Sequence, residues 1–275
     1  MLAKLKQKYD GYHFSKDLVN IYNPFSLCVA FAKKDLGDHW FATGTPYFMV
    51  NMLEQKLFDI PDLEGSIEVN IKEMDDYRLD YTNIAPLLFQ AGYLTIKNYD
   101  DELRNFTLGF PNDEVRYAFL DRLINVYTSL YPDRTGIFRI DNFLKAMRAG
   151  DIDGVLTLVQ ALMASIPYDS FPKDAVTLRE HNHQTAIYLI FCLMGEYVKS
   201  EVHSSVGRSD VEVETKDSIY IFEFKVGGSP YDAIVQIKKQ GYAEKHKGTN
   251  KNIFLIGAII NEDKRTLGEW KIEKV

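Results

Sequence analysis

One run constrains this chain more than any other: Ile219-Tyr220-Ile221-Phe222-Glu223-Phe224-Lys225. It is apolar on both faces, which is the pattern of a central strand buried from either side. Yet Glu223 and Lys225, two apart, point the same way at its end. A buried charge without a partner costs several kcal/mol. The end of this strand therefore calls for a metal or an opposing charge, unless it is an ordinary ion pair at the edge of a sheet.

The flanking sequence supplies candidates. From Val198 to Ile260 the chain reads strand, Gly207-Arg208 turn, strand, Lys216-Asp217 turn, strand, helix, strand. Asp210 begins the strand before the tight Lys216-Asp217 reversal, so the hairpin brings it towards Glu223. Glu212 and Glu214 share its face by alternation and would either assist the metal or face solvent, with solvent the expectation for Glu214. Ser229-Pro230 opens a helix with Ala233, Ile234, Ile237 and Tyr242 near a helical period and Gln236, Lys239 and Gln240 on its polar face. Upstream, Thr177 to Met194 reads as another helix, polar at its start and apolar towards its end. Stepping back by helical spacing from Ala186 and Ile187 reaches His183, then Arg179 and Glu180, which points Glu180 over the sheet.

The first 150 residues have another character. Asn23 to Lys33, Pro46 to Leu57 and Ile84 to Ala91 read as helices, followed by a two-stranded ribbon from Tyr93–Lys97 and Arg104–Leu108. Helices followed by a β-wing suggest a winged-helix-like lobe, a form that serves DNA or protein partners, and its candidate helix carries no basic residue for phosphates. Glu114 to Tyr131, Asn142 to Ala149 and Ile152 to Ser165 read as further helices. Pro167-Tyr168-Asp169-Ser170-Phe171-Pro172 reads as a linker, which divides the chain into 1–166 and 167–275.

Composition narrows the classes. With 275 residues, 46% of them hydrophobic and 26% charged, the chain can build one large core or two ordinary ones. No apolar run approaches the roughly 20 residues of a membrane span, and Met1 to Lys6 leads into polar sequence instead of a signal-peptide core. The expected compartment is the cytoplasm, with Cys28 and Cys192 as buried free thiols. His181 and His183, two apart on a helix, do not share a face and argue against a zinc site. A formal net charge of −7 opposes a simple nucleic-acid binder. Lys238, Lys239, Lys245, Lys247 and Lys251, with Arg208 before Asp210, read equally as a basic rim or as a solvated face. There is no G-x-x-x-x-G-K-[ST] loop and so no phosphate cradle of that kind.

Asp210, Glu223-x-Lys225, the upstream Glu180 and the downstream Gln236-Ile237 with Tyr242-Ala243 resemble the PD-(D/E)XK nuclease superfamily. More narrowly, the chain resembles the branch whose nuclease domain follows an AAA-ATPase-like region. Tyr9-Asp10-Gly11-Tyr12, Tyr22-Asn23-Pro24-Phe25-Ser26, Thr43-Gly44-Thr45-Pro46, Leu88 to Thr95 and Gly109-Phe110-Pro111-Asn112 look like that branch's linking region. Ser209 stands where the superfamily has proline. The tyrosine that a RecB-like subgroup places four residues after its glutamine is absent: position 240 is glutamine, and Tyr242 follows it.

The resemblance implies an α/β (α+β) chain, with a helical winged-helix-like lobe before an αβββαβ restriction-endonuclease-like domain on a mixed central sheet. It implies hydrolysis of phosphodiester bonds in nucleic acid, with DNA the expected substrate, through a carboxylate-held Mg²⁺ (or Mn²⁺). Hard divalent cations on carboxylates activate water and neutralise phosphate charge. Asp210 and Glu223 would be direct ligands, the Phe224 carbonyl a third, and Glu180 a ligand directly or through water. Lys225 would position the attacking water or stabilise developing charge, and Gln236 would orient water or contact the nucleic acid backbone. An ATPase-like domain in cis or in trans is the implied partner, with no membrane. The competing expectation is a catalytically silent interaction or regulatory module on the same fold.

Overall fold

A computed structural model describes residues 1–40, 60–74, 83–127, 140–165, 187–193, 202–204, 210–246, 248–261 and 266–275. The chain is an α/β fold with an N-terminal helical lobe and a C-terminal mixed-sheet domain, and it forms two compact units, Met1–Leu123 and Ile124–Val275. The expected boundary at 166/167, the expected helix over 46–57 and Thr43 to Pro46 lie outside the described residues. Among the described residues no helix is long and apolar enough to cross a membrane.

In the first unit, helices α1 (Leu2–Tyr9) and α2 (Pro24–Lys33) precede strand β1 (Ile67–Asn70) and the short helices α3 (Ile71–Met74) and α4 (Ala85–Gln90). The expected ribbon is present as β2 (Thr95–Asp100) and β3 (Asn105–Gly109), but β1 adds to it, giving a three-stranded antiparallel sheet in the order β1-β3-β2. Helix α5 (Asp113–Tyr127) follows. β1 escapes notice in the sequence because it is only Ile-Glu-Val-Asn, with two residues buried.

Motif residues of this unit do structural work. The Tyr9 hydroxyl donates to the Gly37 carbonyl at 2.9 Å, and Tyr12 donates to that of Gly92 at 3.1 Å. The Asn23 side chain caps α2 by accepting from the Phe25 and Ser26 N–H groups, and Asn112 caps α5 by accepting from Val115 N–H at 3.2 Å. Gly11 sits at φ 108, and a Cβ there would lie 2.3 Å from the Pro111 carbonyl oxygen. Two motifs thus meet backbone to backbone. Cys192 is buried as expected, whereas Cys28 is exposed. Cys28 is exposed because α2 buries Ser26 and Ala30, and a residue two from either lies round the helix from them.

Glu114 is buried beneath α2, its Oε1 accepting from the Ser26 hydroxyl (2.8 Å) and the Trp40 N–H (2.9 Å). Burial lifts its carboxyl above the ordinary carboxylate range, against the downward pull of those hydrogen bonds.

The second unit contains α6 (Ile140–Ala149), α7 (Ile152–Ser165), α8 (residues 187–193) and a five-stranded sheet of β4 (Val202–Ser204), β5 (Asp210–Glu214), β6 (Ser218–Val226), β7 (Asn252–Asn261) and β8 (Thr266–Lys274) in that spatial order. Only β6 and β7 are parallel, joined by helix α9 (Pro230–Gln240). β6 is the central strand, buried from Ser218 to Phe224. Its Ile219–Ile221 face packs with Ile253 and Leu255 beneath Ile234 and Ile237 of α9. On the other face, Phe191 of α8 stacks near Phe222 and Phe224, with ring centroids 4.7 and 6.1 Å away.

β8 corrects the expected strand count. Its alternation of single apolar residues with Glu269, Lys271, Glu273 and Lys274 reads as a polar tail, yet it pairs antiparallel with β7. Helix α7, expected in the N-terminal lobe, packs here against β8: Gln160 donates to the Leu267 carbonyl (2.5 Å) and Thr266 to that of Gln160 (2.9 Å).

Gly11→Ala combines a left-handed φ with a backbone clash and should cost about 2 kcal/mol or more, read from urea unfolding. For Glu114 the folded state binds the proton more tightly than the unfolded chain. Its contribution is therefore favourable at acid pH and is lost as pH rises through the raised folded pKa. Between about pH 4 and pH 7, the stability of wild type minus that of Glu114→Gln should fall with pH; a difference that stayed flat or rose would contradict this.

Candidate active site

The site is built on the β5–β6 hairpin. Thr215 and Ser218 close it, with Thr215 N–H donating to the Ser218 carbonyl at 2.8 Å, which leaves Lys216-Asp217 as the loop. This closure sets the register Asp210↔Glu223, Glu212↔Ile221 and Glu214↔Ile219. Residues directly opposite in an antiparallel pair share a face. The three acidic positions of β5 thus run along the α9 face of the sheet, with Asp210 opposite Glu223.

The three rows end differently. Glu214 is ion-paired with Lys251. Glu212, buried at 9% exposure, holds Lys245 at 2.7 Å and His246 at 2.9 Å, both from the turn after α9. Protein cations hold both carboxylates. Glu223, 3% exposed, instead receives the Gln236 side-chain amide on Oε1 at 2.6 Å.

Gln236 gets there because α9 lies very close to the sheet. Ser229 and Asp232 form a capping box at its start, and Pro230 occupies the first turn. Gly257 of β7 lies beside Glu223 in the parallel ladder, and a Cβ on it would fall 2.2 Å from the Pro230 carbonyl oxygen and 2.9 Å from the Ala233 Cβ. A glycine inside a strand signals such close approach.

Lys225 sits two residues beyond Glu223 on the same face, half-buried, opposite Ile259 of β7. It is near enough to Asp232 to help hold that carboxyl below its ordinary range, after the larger effect of the Ser229 hydrogen bonds. Phe224 is buried on the opposite face, with its backbone between the two charged residues. Tyr242 packs half-buried against the Ile219–Leu255 cluster, away from a site role. The basic rim is reduced, because Lys238 pairs with Glu273 at 2.5 Å while Lys245 and Lys251 serve Glu212 and Glu214.

Glu180, His181 and His183, like the Asp210 side chain, lie outside what the structure describes. Among the described residues no group of three or more histidine, cysteine, aspartate and glutamate side chains could form a metal cage. Two carboxylate-bearing positions in register, Asp210 and Glu223, offer oxygen donors of the kind that a hard divalent cation takes.

Residues 178–270 match the PD-(D/E)XK nuclease superfamily, so the C-terminal region falls in that superfamily. The whole chain is similar to a protein of Azotobacter chroococcum mcd 1 described as an uncharacterized protein in the vnfD 5′ region, 30% identical over 277 residues and 99% of this chain. The chain spans about half, 52%, of that relative's length.

Gly257→Ala tests the seat of α9. It should cost about 1–3 kcal/mol by overpacking, and the Gln236 side-chain amide resonances should move towards those of a free glutamine. Unchanged amide shifts would show that Gly257 does not set this contact.

Proposed function

We propose that the C-terminal unit hydrolyses phosphodiester bonds of nucleic acid, with DNA the first substrate to test, using Mg²⁺ or Mn²⁺ held by Asp210 and Glu223. The observation that carries this reading is the register of Asp210 opposite a buried Glu223 whose Oε1 is already held by Gln236. When bound, such a cation would lower the pKa of water and offset phosphate charge. Gln236 would hold Glu223 in one rotamer, so that its carboxylate is oriented before any ligand arrives. The Phe224 carbonyl and Glu180 would complete the oxygen set. Lys225 would act on the developing charge of the scissile phosphate.

The order of α4, β2 and β3, with β1 pairing on β3, is the observation behind a winged-helix reading of the first unit. The resemblance of Tyr9-Asp10-Gly11-Tyr12 to the end of an ATPase-like region is the reason for proposing an ATPase-like partner domain, in cis or in trans. A second reading, a catalytically silent module, is favoured by the net charge of −7 and by the pairing of Lys238, Lys245 and Lys251 with carboxylates.

A Mg²⁺ and Mn²⁺ titration with single- and double-stranded DNA and RNA separates the two. Asp210→Ala and Glu223→Ala should each lower cleavage on the order of a hundredfold or more, and Glu180→Gln should weaken divalent-cation binding. Equal residual cleavage by wild type and both alanine variants would leave only the silent module.

A further inference from the structure

Among the described residues of the second unit, Tyr231 is the one exposed aromatic side chain, 57% open, with Val235 exposed one turn along α9. No step of the proposed cleavage uses it. Its ring is nevertheless held in place, because the Lys271 ammonium of β8 lies over it, 5.1 Å from the centroid. The backbone beneath it is fixed as well, since Tyr231 follows Pro230 in the first turn of α9, where the capping box sits.

The position of this pair relative to the hairpin follows from the sheet register. Asp210, Glu223, Gly257 and Lys271 stand in one row across β5, β6, β7 and β8. Neighbouring strands are about 4.8 Å apart, so the Lys271 backbone is roughly 10 Å from that of Glu223. Between them Gly257 carries no side chain, and the Pro230 carbonyl of α9 presses onto it. Gln236 of α9 faces Glu223, whereas Tyr231 reaches Lys271 on the β8 side of the same helix. The ring therefore lies across the first turn of α9 from the two carboxylate positions. At about 3.4 Å per stacked nucleotide, that separation is a few nucleotides of strand.

The charges nearby favour an occupant that does not depend on a basic surface. Lys238 is paired with Glu273, and Asp232 is engaged by Ser229 in the capping box. A duplex, whose bases stay stacked inside and which is held chiefly through its phosphates, finds few free cations here. An unpaired strand offers base faces, and stacking on an aromatic ring needs no net positive charge. Glu269, exposed two residues before Lys271, supplies an acceptor for a base amino group.

We infer, on the reading of Asp210 and Glu223 as a cleavage site, that Tyr231 propped by Lys271 stacks a base a few nucleotides from the scissile phosphate, and that the substrate is single-stranded nucleic acid. Fluorescence anisotropy of a labelled DNA oligonucleotide, alone and annealed to its complement, tests this on the full chain with Ca²⁺ in place of Mg²⁺, beside cleavage assays with Mg²⁺. Wild type should bind the single strand more tightly than the duplex. Tyr231→Ala should weaken single-strand binding on the order of tenfold, and to a similar degree at low and high salt because stacking releases no counterions. Its unfolding midpoint should stay close to wild type, and Tyr231→Trp should restore binding. Single-strand affinity unchanged in Tyr231→Ala, or a duplex bound as tightly as the single strand, would overturn the stacking; cleavage that still required Asp210 and Glu223 would then leave the hydrolysis standing. Single strands bound through Tyr231 yet left uncleaved would uphold the stacking and overturn the hydrolysis.

Discussion

The contact on which the second unit turns is the hydrogen bond from Gln236 to the buried Glu223. A carboxylate on the central strand of a sheet is tolerable only if a polar group reaches it there. That group has to come from the helix covering the same face, so α9 must lie nearly against β7, and Gly257 makes the approach possible. The parallel β6–β7 crossover fixes which helix this is, and the Thr215–Ser218 closure fixes which residue of β5 stands opposite Glu223. Strand order, glycine, cap and hairpin loop converge on one side chain. Such convergence is what preorganisation of a site looks like before any ligand is present.

The elements that could be read from sequence alone have a strict period and local punctuation. β6 shows itself as a two-sided apolar run, α9 through Ser229-Pro230, and the β5–β6 register through a short polar turn between alternating strands. β8 could not be read because an edge strand needs only one buried face, and its charged residues imitate a solvated tail. The partners of Glu212 were hidden for a different reason. Lys245 and His246 come from a turn that a glycine, Gly241, in the left-handed region swings back over the sheet, and no spacing rule connects them to β5. Alternation placed Glu212 and Glu214 on the right face, but only the fold shows that cations claim both.

That pairing bears on how a polyanion would be received. A run of lysines after the site reads as a phosphate-binding rim when counted along the chain. In the fold, Lys245 and Lys251 stabilise the β5 carboxylates that would otherwise repel one another, and Lys238 ties α9 to β8. With a net charge of −7 there is little long-range attraction for phosphates. A nucleic acid at this face would have to be held by short-range contacts around Lys225 and a bound cation, so any cleavage should depend on the metal for binding as well as for chemistry.

The motifs of the first unit differ in kind from the hairpin residues. Tyr9, Tyr12 and Asn23 discharge their polar atoms on backbone groups, so architecture alone accounts for them. Asn112 is different. One of its side-chain atoms does the capping that any helix start needs, and a serine, threonine or aspartate would serve as well. Its second atom, the amide nitrogen, is buried with no hydrogen-bond partner among the described residues. Nearby, a bulge has taken Lys97 out of the strand ladder. A bulge and an orphaned amide each cost stability if they do nothing. For Asn112 the capping bond is what offsets that cost, since the amide nitrogen is closed off from solvent.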